Sequence, residues 1–148
     1  MAEVTQAAAT GVAVNPRAHG HPQVARTLGL KITHVSRDRV AAELPARDHL
    51  ANRKNVLSGG VLMALADILG GTAAVANLPE GAGTTTIESK TNFFAPVRLG
   101  DTVFAECTPL HRGRTTMVFE TRITRGDGKL VAVVTQTQLV MARAGNPE

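Results

Sequence analysis

The spacing of apolar residues changes character near residue 83. Before it lies one stretch that is apolar almost throughout: from Val61 to Leu69 only Asp67 is polar. Ser58 supplies an N-cap and Leu78-Pro79-Glu80-Gly81 a stop, so the stretch predicts a helix from Ser58 to about Asn77. A helix apolar on nearly every side has to be covered on most of them. Beyond Gly83 the pattern predicts antiparallel strands. Thr84–Phe94 is β-branched and aromatic, with Pro96 closing it, and Asp101–Leu110 follows a turn at Leu99-Gly100-Asp101. In Thr115–Thr124, residues Thr115, Met117, Phe119, Thr121 and Ile123 share one face. Arg125-Gly126-Asp127-Gly128 is a hairpin turn into a Val-rich strand, Leu130–Met141.

Upstream of the helix, Leu30 to Leu44 reads as two short strands around a turn at Ser36–Arg39, stopped by Pro45. Residues 46–57 are polar and irregular, a loop, and residues 22–29 allow a short helix after Pro22. Residues 1–20, rich in Ala, Gly and Thr without a period, are expected to be a flexible arm, and 143–148 a frayed tail. The domain then spans 21–142. Its order of elements is α+β, and an antiparallel sheet wrapped around one central helix satisfies it, as do other α+β arrangements.

Composition narrows the function classes. Sixteen Lys and Arg against twelve Asp and Glu favour anionic partners without naming one. With no Trp, no Tyr and four Phe, stacking platforms are scarce, so nucleic acid is not expected as a partner. No run approaches the ~20 consecutive apolar residues of a membrane helix, and no signal-peptide pattern opens the chain. One cysteine, Cys107, suits a reducing compartment, and a cytoplasmic location is expected. Cys107 itself reads as a small strand hydrophobe rather than a nucleophile. His19 and His21 lack a further ligand nearby and are read as polar residues, with no metal expected. His34, His49 and His111 are read as surface residues.

Asp67 stands out, because an ionised carboxylate in an apolar helix is costly without a partner. Gly60, Ala64, Asp67, Gly71 and Ala74 fall on one helical stripe, and every other member is Gly or Ala. Something therefore approaches this stripe closely, another backbone or a ligand. The carboxylate is then either bonded in a structural network or aimed at chemistry. Ser58-Gly59-Gly60 opens the helix with free backbone amides at its positive end, which suits an oxyanion or polarised carbonyl. Asp67 lies nine residues past Ser58, roughly 13 Å along the axis, too far for both to act on one carbonyl. Either the two ends serve different purposes, or a two-fold dimer pairs each helix start with the other subunit's Asp67.

Asn52, Ser58-Gly59-Gly60 six residues on and Asp67 nine after Ser58 form a spaced motif. Downstream comes Asn92-Phe93-Phe94-Ala95-Pro96-Val97-Arg98-Leu99-Gly100-Asp101. Together these residues resemble the acyl-CoA thioesterases of the hot-dog superfamily, in the phenylacetate-degradation and 4-hydroxybenzoyl-CoA thioesterase branch, over roughly residues 28–141. Asn55 is a rival for the motif Asn, but its three-residue gap to Ser58 does not match. The family carries His where this chain has Ser58.

The resemblance implies a hot-dog fold and hydrolysis of a small aryl- or medium-chain acyl-CoA. Asp67 would be general base or nucleophile, the Gly59 amide would polarise the thioester carbonyl, Asn52 would orient water or substrate, and Thr86 would assist the carboxylate. Ser58 and Gly60 would contact substrate beside Gly59. It also implies a homodimer formed by extending one sheet, often doubled to a tetramer, and no cofactor, coenzyme A being part of the substrate. Arg112, Arg114 and Arg98 are candidates for the coenzyme A phosphates, although turn arginines also serve solubility. Two other functions stay open. One is a non-catalytic acyl-CoA-binding or regulatory domain, which the Ser58 departure allows. The other is an acyl-thioester hydratase or dehydratase, disfavoured because no His occupies a motif position.

Overall fold

A computed structural model of the chain describes residues 13–142. Residues 1–12 of the expected arm and the expected tail lie outside the described residues. The chain forms α1 (Gln23–Leu28), β1 (Lys31–Val35), β2 (Val40–Pro45), α2 (Gly59–Asn77), β3 (Gly83–Phe93), β4 (Thr102–Arg112), β5 (Thr116–Arg125) and β6 (Leu130–Met141). Six strands make one sheet in the order β1-β2-β4-β5-β6-β3, antiparallel throughout. The sheet wraps α2, which touches every strand. This is the hot-dog fold implied by the sequence resemblance.

The alternation anticipated in β5 is what closes the core. Met117, Phe119, Thr121 and Ile123 all face α2 and are buried. They meet Leu65 and Leu69 of the helix, each fully buried. The β5–β6 hairpin follows from Arg125-Gly126-Asp127-Gly128: Gly128 takes φ +82°, and its amide donates to the Arg125 carbonyl. Arg125 clamps Asp127 through both carboxylate oxygens (2.8–3.0 Å), and that guanidinium holds the carboxyl down to about 2.

Three expectations need correction. Of the arm, residues 13–20 pack on the domain. Pro16–His19 form a 3-10 turn, Ala18 is buried, and the Asn15 amide donates to Ala76 O of α2. A four-residue turn carries no periodic signal, so the sequence pattern missed it. Ser58 occupies the N-cap position, yet its hydroxyl makes no capping bond, and only its carbonyl receives the Val61 and Leu62 amides. Finally, α2 is long and apolar enough to span a membrane, with mean hydropathy 1.6 over its apolar window. Burial inside the sheet accounts for that composition.

Cys107 lies in β4 with no exposed surface, and burial pushes its thiol up to about 11 against an opposing hydrogen bond with Thr121. Its thiol stays protonated at neutral pH, as a strand hydrophobe's should. A neutral alkylating reagent is therefore expected to leave Cys107 unmodified in the native protein and to label it fully in denaturant, as mass spectrometry would show. Phe119→Ala, which empties the space under α2, is expected to cost about 3–5 kcal/mol in chemical denaturation. Phe104→Ala, on the half-exposed outer face, should cost under about 1 kcal/mol.

Candidate active site

Asp67 lies on the part of α2 nearest β3 and β6. The Thr86 hydroxyl donates to Asp67 Oδ1 at 2.9 Å, and Gln136 Nε2 donates to the same oxygen at 2.9 Å. Gln136 Nε2 also reaches Thr86 Oγ1 at 3.0 Å, and Gln138 Nε2 donates to that oxygen at 2.8 Å. Thr84 in turn donates to Gln138 Oε1 at 3.0 Å. One carboxylate oxygen is thus fixed by two uncharged donors, while Oδ2 accepts nothing from the described residues. No cation neutralises the carboxylate among the ion pairs of the described residues. Asp67 is exposed and borders a cavity of about 430 Å³, open between α2, β3 and the N-terminal segment.

The local sequence explains why the carboxylate is held this way. Thr86 pairs with Gln138 across the β3–β6 ladder, and the register shifts between Thr86 and Glu88, leaving Ile87 unpaired beside the site. Gln136 stands opposite Phe119, on the face turned to α2. It fits there because residue 70 is glycine: a Cβ on Gly70 would lie 2.5 Å from Gln136 Oε1. The small-residue stripe read from the sequence is therefore not where the sheet approaches. A Cβ on Gly71 would meet nothing within 4 Å, and one on Gly60 would meet only its neighbour Ser58 Oγ at 3.7 Å. Within one chain the stripe is open at Gly60 and Gly71 and buried at Ala74, and the close contact with the sheet is at Gly70.

Of the expected site residues, the structure joins Asp67 and Thr86 by a direct hydrogen bond. Ser58, Gly59 and Gly60 gather at the other end of α2, with Gly59 eight residues from Asp67 and about 12 Å away along the axis. The Gly59 amide belongs to the first turn, where no intrahelical acceptor exists. The Phe93 ring lies over Gly59, 3.2 Å from where a Cβ would stand. Asn52 sits in the loop before α2, its Oδ1 accepting the Lys54 amide at 2.8 Å. That loop is less irregular than expected: it contains a 3-10 turn over Asp48–Leu50, and Asn55 takes φ +54°. Arg98 bridges Val56 near the helix start. Arg112 lies toward the opposite end, where it pairs with Asp38 and shares the Arg37 carbonyl with Asn77. Arg114 is exposed on the β4–β5 turn, and His34, His49 and His111 are exposed. The arginines proposed for one set of phosphates are thus spread over both ends of the helix.

Sequence reasoning missed Gln136, Gln138 and Gly70. The two glutamines were visible as polar residues at inward-facing positions of a Val-rich strand, and both are buried. It also missed Arg17 and His21, which border the Asp67 cavity from the N-terminal segment.

The family model of the Thioesterase superfamily matches residues 54–132. A candidate esterase of Saccharolobus solfataricus is 33% identical over 110 residues, 74% of this chain and 77% of that protein. Among solved structures, thioesterase HI1161 of Haemophilus influenzae superposes with a TM-score of 0.78 at 30% identity, covering 84% of this chain and 87% of that one. The PaaI protein of the E. coli phenylacetic acid degradation operon shares the fold, with a TM-score of 0.74 at 23% identity over 84% of this chain and 86% of that one. Sequence, fold and the Asp67 helix agree: the chain belongs to the Thioesterase superfamily, in its hot-dog form.

Proposed function

We propose that this chain is an acyl-CoA thioesterase that hydrolyses a small aryl- or medium-chain acyl-CoA to the free acid and coenzyme A. The observation that carries the reading is the asymmetric anchoring of Asp67. Oδ1 is locked by Thr86 and Gln136, and Oδ2 is left to the cavity. A carboxylate so held can take a proton from a water molecule as that water attacks the thioester carbon. The C–O bond forms, the C–S bond breaks, and the thiol leaves with a proton. Attack by Oδ2 itself, through an anhydride that water then cleaves, uses the same geometry.

The developing oxyanion needs a donor, and the chain's own Gly59 amide is too far from Asp67 to give it. A dimer supplies it. β3 is an edge strand of eleven residues, with Ile87 and Phe93 more than half exposed, and an unpaired edge of that length is a template for another strand. Pairing two β3 edges about a two-fold axis would extend the sheet and bring Gly59 of the partner subunit toward Asp67. The open stripe of Gly60, Ala64 and Gly71 would face that interface, and such dimers could double into a tetramer. Asn52 would then orient water or substrate beside the amide, with Ser58 and Gly60 lining the same end.

Three measurements test the reading. Asp67→Asn should lower turnover in a thiol-release assay over an acyl-CoA panel by roughly a hundred- to ten-thousandfold, with fold and oligomeric state intact. Undiminished turnover would refute the role of the carboxylate. Gly70→Ala should push the Gln136 amide off Asp67, costing about 1–3 kcal/mol of stability. Its turnover should fall by as much as a hundredfold, since small displacements of a catalytic group are that costly. Sedimentation equilibrium should find two or four chains per particle; a monomer at assay concentration that still turns over would sink the shared site.

A further inference from the structure

The cavity beside Asp67 is mixed in character. Thr86 bonds the carboxylate, and the lining combines apolar Ile68, Ala18, Pro22 and Val24 with Thr72 and Thr84. Asp67, Gly71 and Val75, on successive turns of α2, all border it, so it follows the helix for about 12 Å. Two nitrogen-bearing side chains, Arg17 and His21, also border it, both exposed. Arg17 is tied to the end of the cavity farthest from Asp67. Its Nη1 donates to the Ala82 carbonyl at 3.0 Å, and its turn is tied to the last turn of α2 through Asn15 and Ala76. Arg17 joins none of the ion pairs among the described residues, and none of their carboxylates neutralises its charge.

A purely aliphatic or aryl pocket has no use for a fixed guanidinium at its end. We infer that the cavity receives the acyl chain, and that Arg17, with His21 beside it, binds a carboxylate at the chain's distal end. The preferred substrate class is then an ω-carboxyacyl thioester of medium length. The inference rests on the thioesterase reading above and narrows its substrate. The span agrees: of about 12 Å, roughly 3 Å is the hydrogen-bond contact at the guanidinium, and the remaining ~9 Å is about eight bonds of an extended chain at ~1.1–1.2 Å each, the reach of an eight-carbon diacid. A planar fork of donors also suits a carboxylate better than a point charge would.

Octanoyl-CoA and suberoyl-CoA, its ω-carboxylate analogue of equal length, separate the possibilities without any variant. The wild-type protein should show a kcat/KM for suberoyl-CoA higher by on the order of tenfold, the size expected of one charge-assisted hydrogen bond, and expressed mainly in KM. Arg17→Gln should collapse that ratio toward one, and Arg17→Lys should restore part of it. A wild-type enzyme that handles octanoyl-CoA as well as or better than suberoyl-CoA overturns the inference and leaves the thioesterase reading standing. So does an Arg17→Gln variant that loses both activities in proportion, since Arg17 would then be bracing the fold or contacting coenzyme A. Failure to release thiol from any ester would instead refute the thioesterase reading, and this inference with it.

Discussion

The contact between Gln136 and the backbone of Gly70 is the constraint on which the candidate site depends. A side chain at residue 70 would occupy the space of the amide, so the glycine is what lets Gln136 seat against α2. Once seated, the same amide can point Nε2 at Asp67 and Thr86 together. A buried glutamine would normally destabilise a core, and its Oε1 finds no partner among the described residues, at a cost of about 1–3 kcal/mol. A polar group held at that cost in the interior has a local consequence: it fixes one carboxylate oxygen and leaves the other free of any donor among the described residues. Packing and chemistry meet in one residue pair.

The rest of the architecture presents this carboxylate on an unfinished surface. The chain order carries β3 across α2 to the outer edge beside β6, so Thr86 and the cavity lie at the rim of the sheet rather than in its centre. A rim position gives access to solvent and substrate. It also leaves an edge strand unpaired and a Gly/Ala stripe uncovered, while the helix start with its free amides is a dozen ångströms away. In the proposed reading, one chain holds both halves of a hydrolytic site without bringing them together, and a second copy related by a two-fold axis would supply each with its missing half.

The N-terminal segment completes the third wall. Its 3-10 turn is docked by a few hydrogen bonds and one buried alanine, a modest set of contacts compared with the sheet. A wall held this lightly can vary in sequence without disturbing the Gln136–Asp67 arrangement. In the proposed reading, recognition of the acyl group and activation of the nucleophile would fall to different parts of the chain.

Much of this was legible in the sequence. Apolar patterning together with caps, turns and prolines placed α2 and all six strands to within one or two residues, because α2, β2, β4, β5 and β6 bury residues whose spacing records it, and β1 and β3 are bounded by turn residues. A lone carboxylate in an apolar helix marked Asp67 on energetic grounds, and the spacing to Asn52 and Ser58 marked the family. What the sequence could not determine depends on which residues meet across the fold. It marked Gly60 and Gly71 for the close approach of another backbone or a ligand, and gave no sign that the helix turns Gly70 toward the sheet. It showed Gln136 and Gln138 as polar interruptions without saying that Gln136 bonds the Asp67 carboxylate and Gln138 the threonine that holds it. Arg17 lay in a segment with no period at all, and only its docking against α2 and the Ala82 carbonyl put its charge at the end of the Asp67 cavity. Local pattern reports how each segment is buried; which side chains share a cavity is decided by long-range packing, for which no local signal exists.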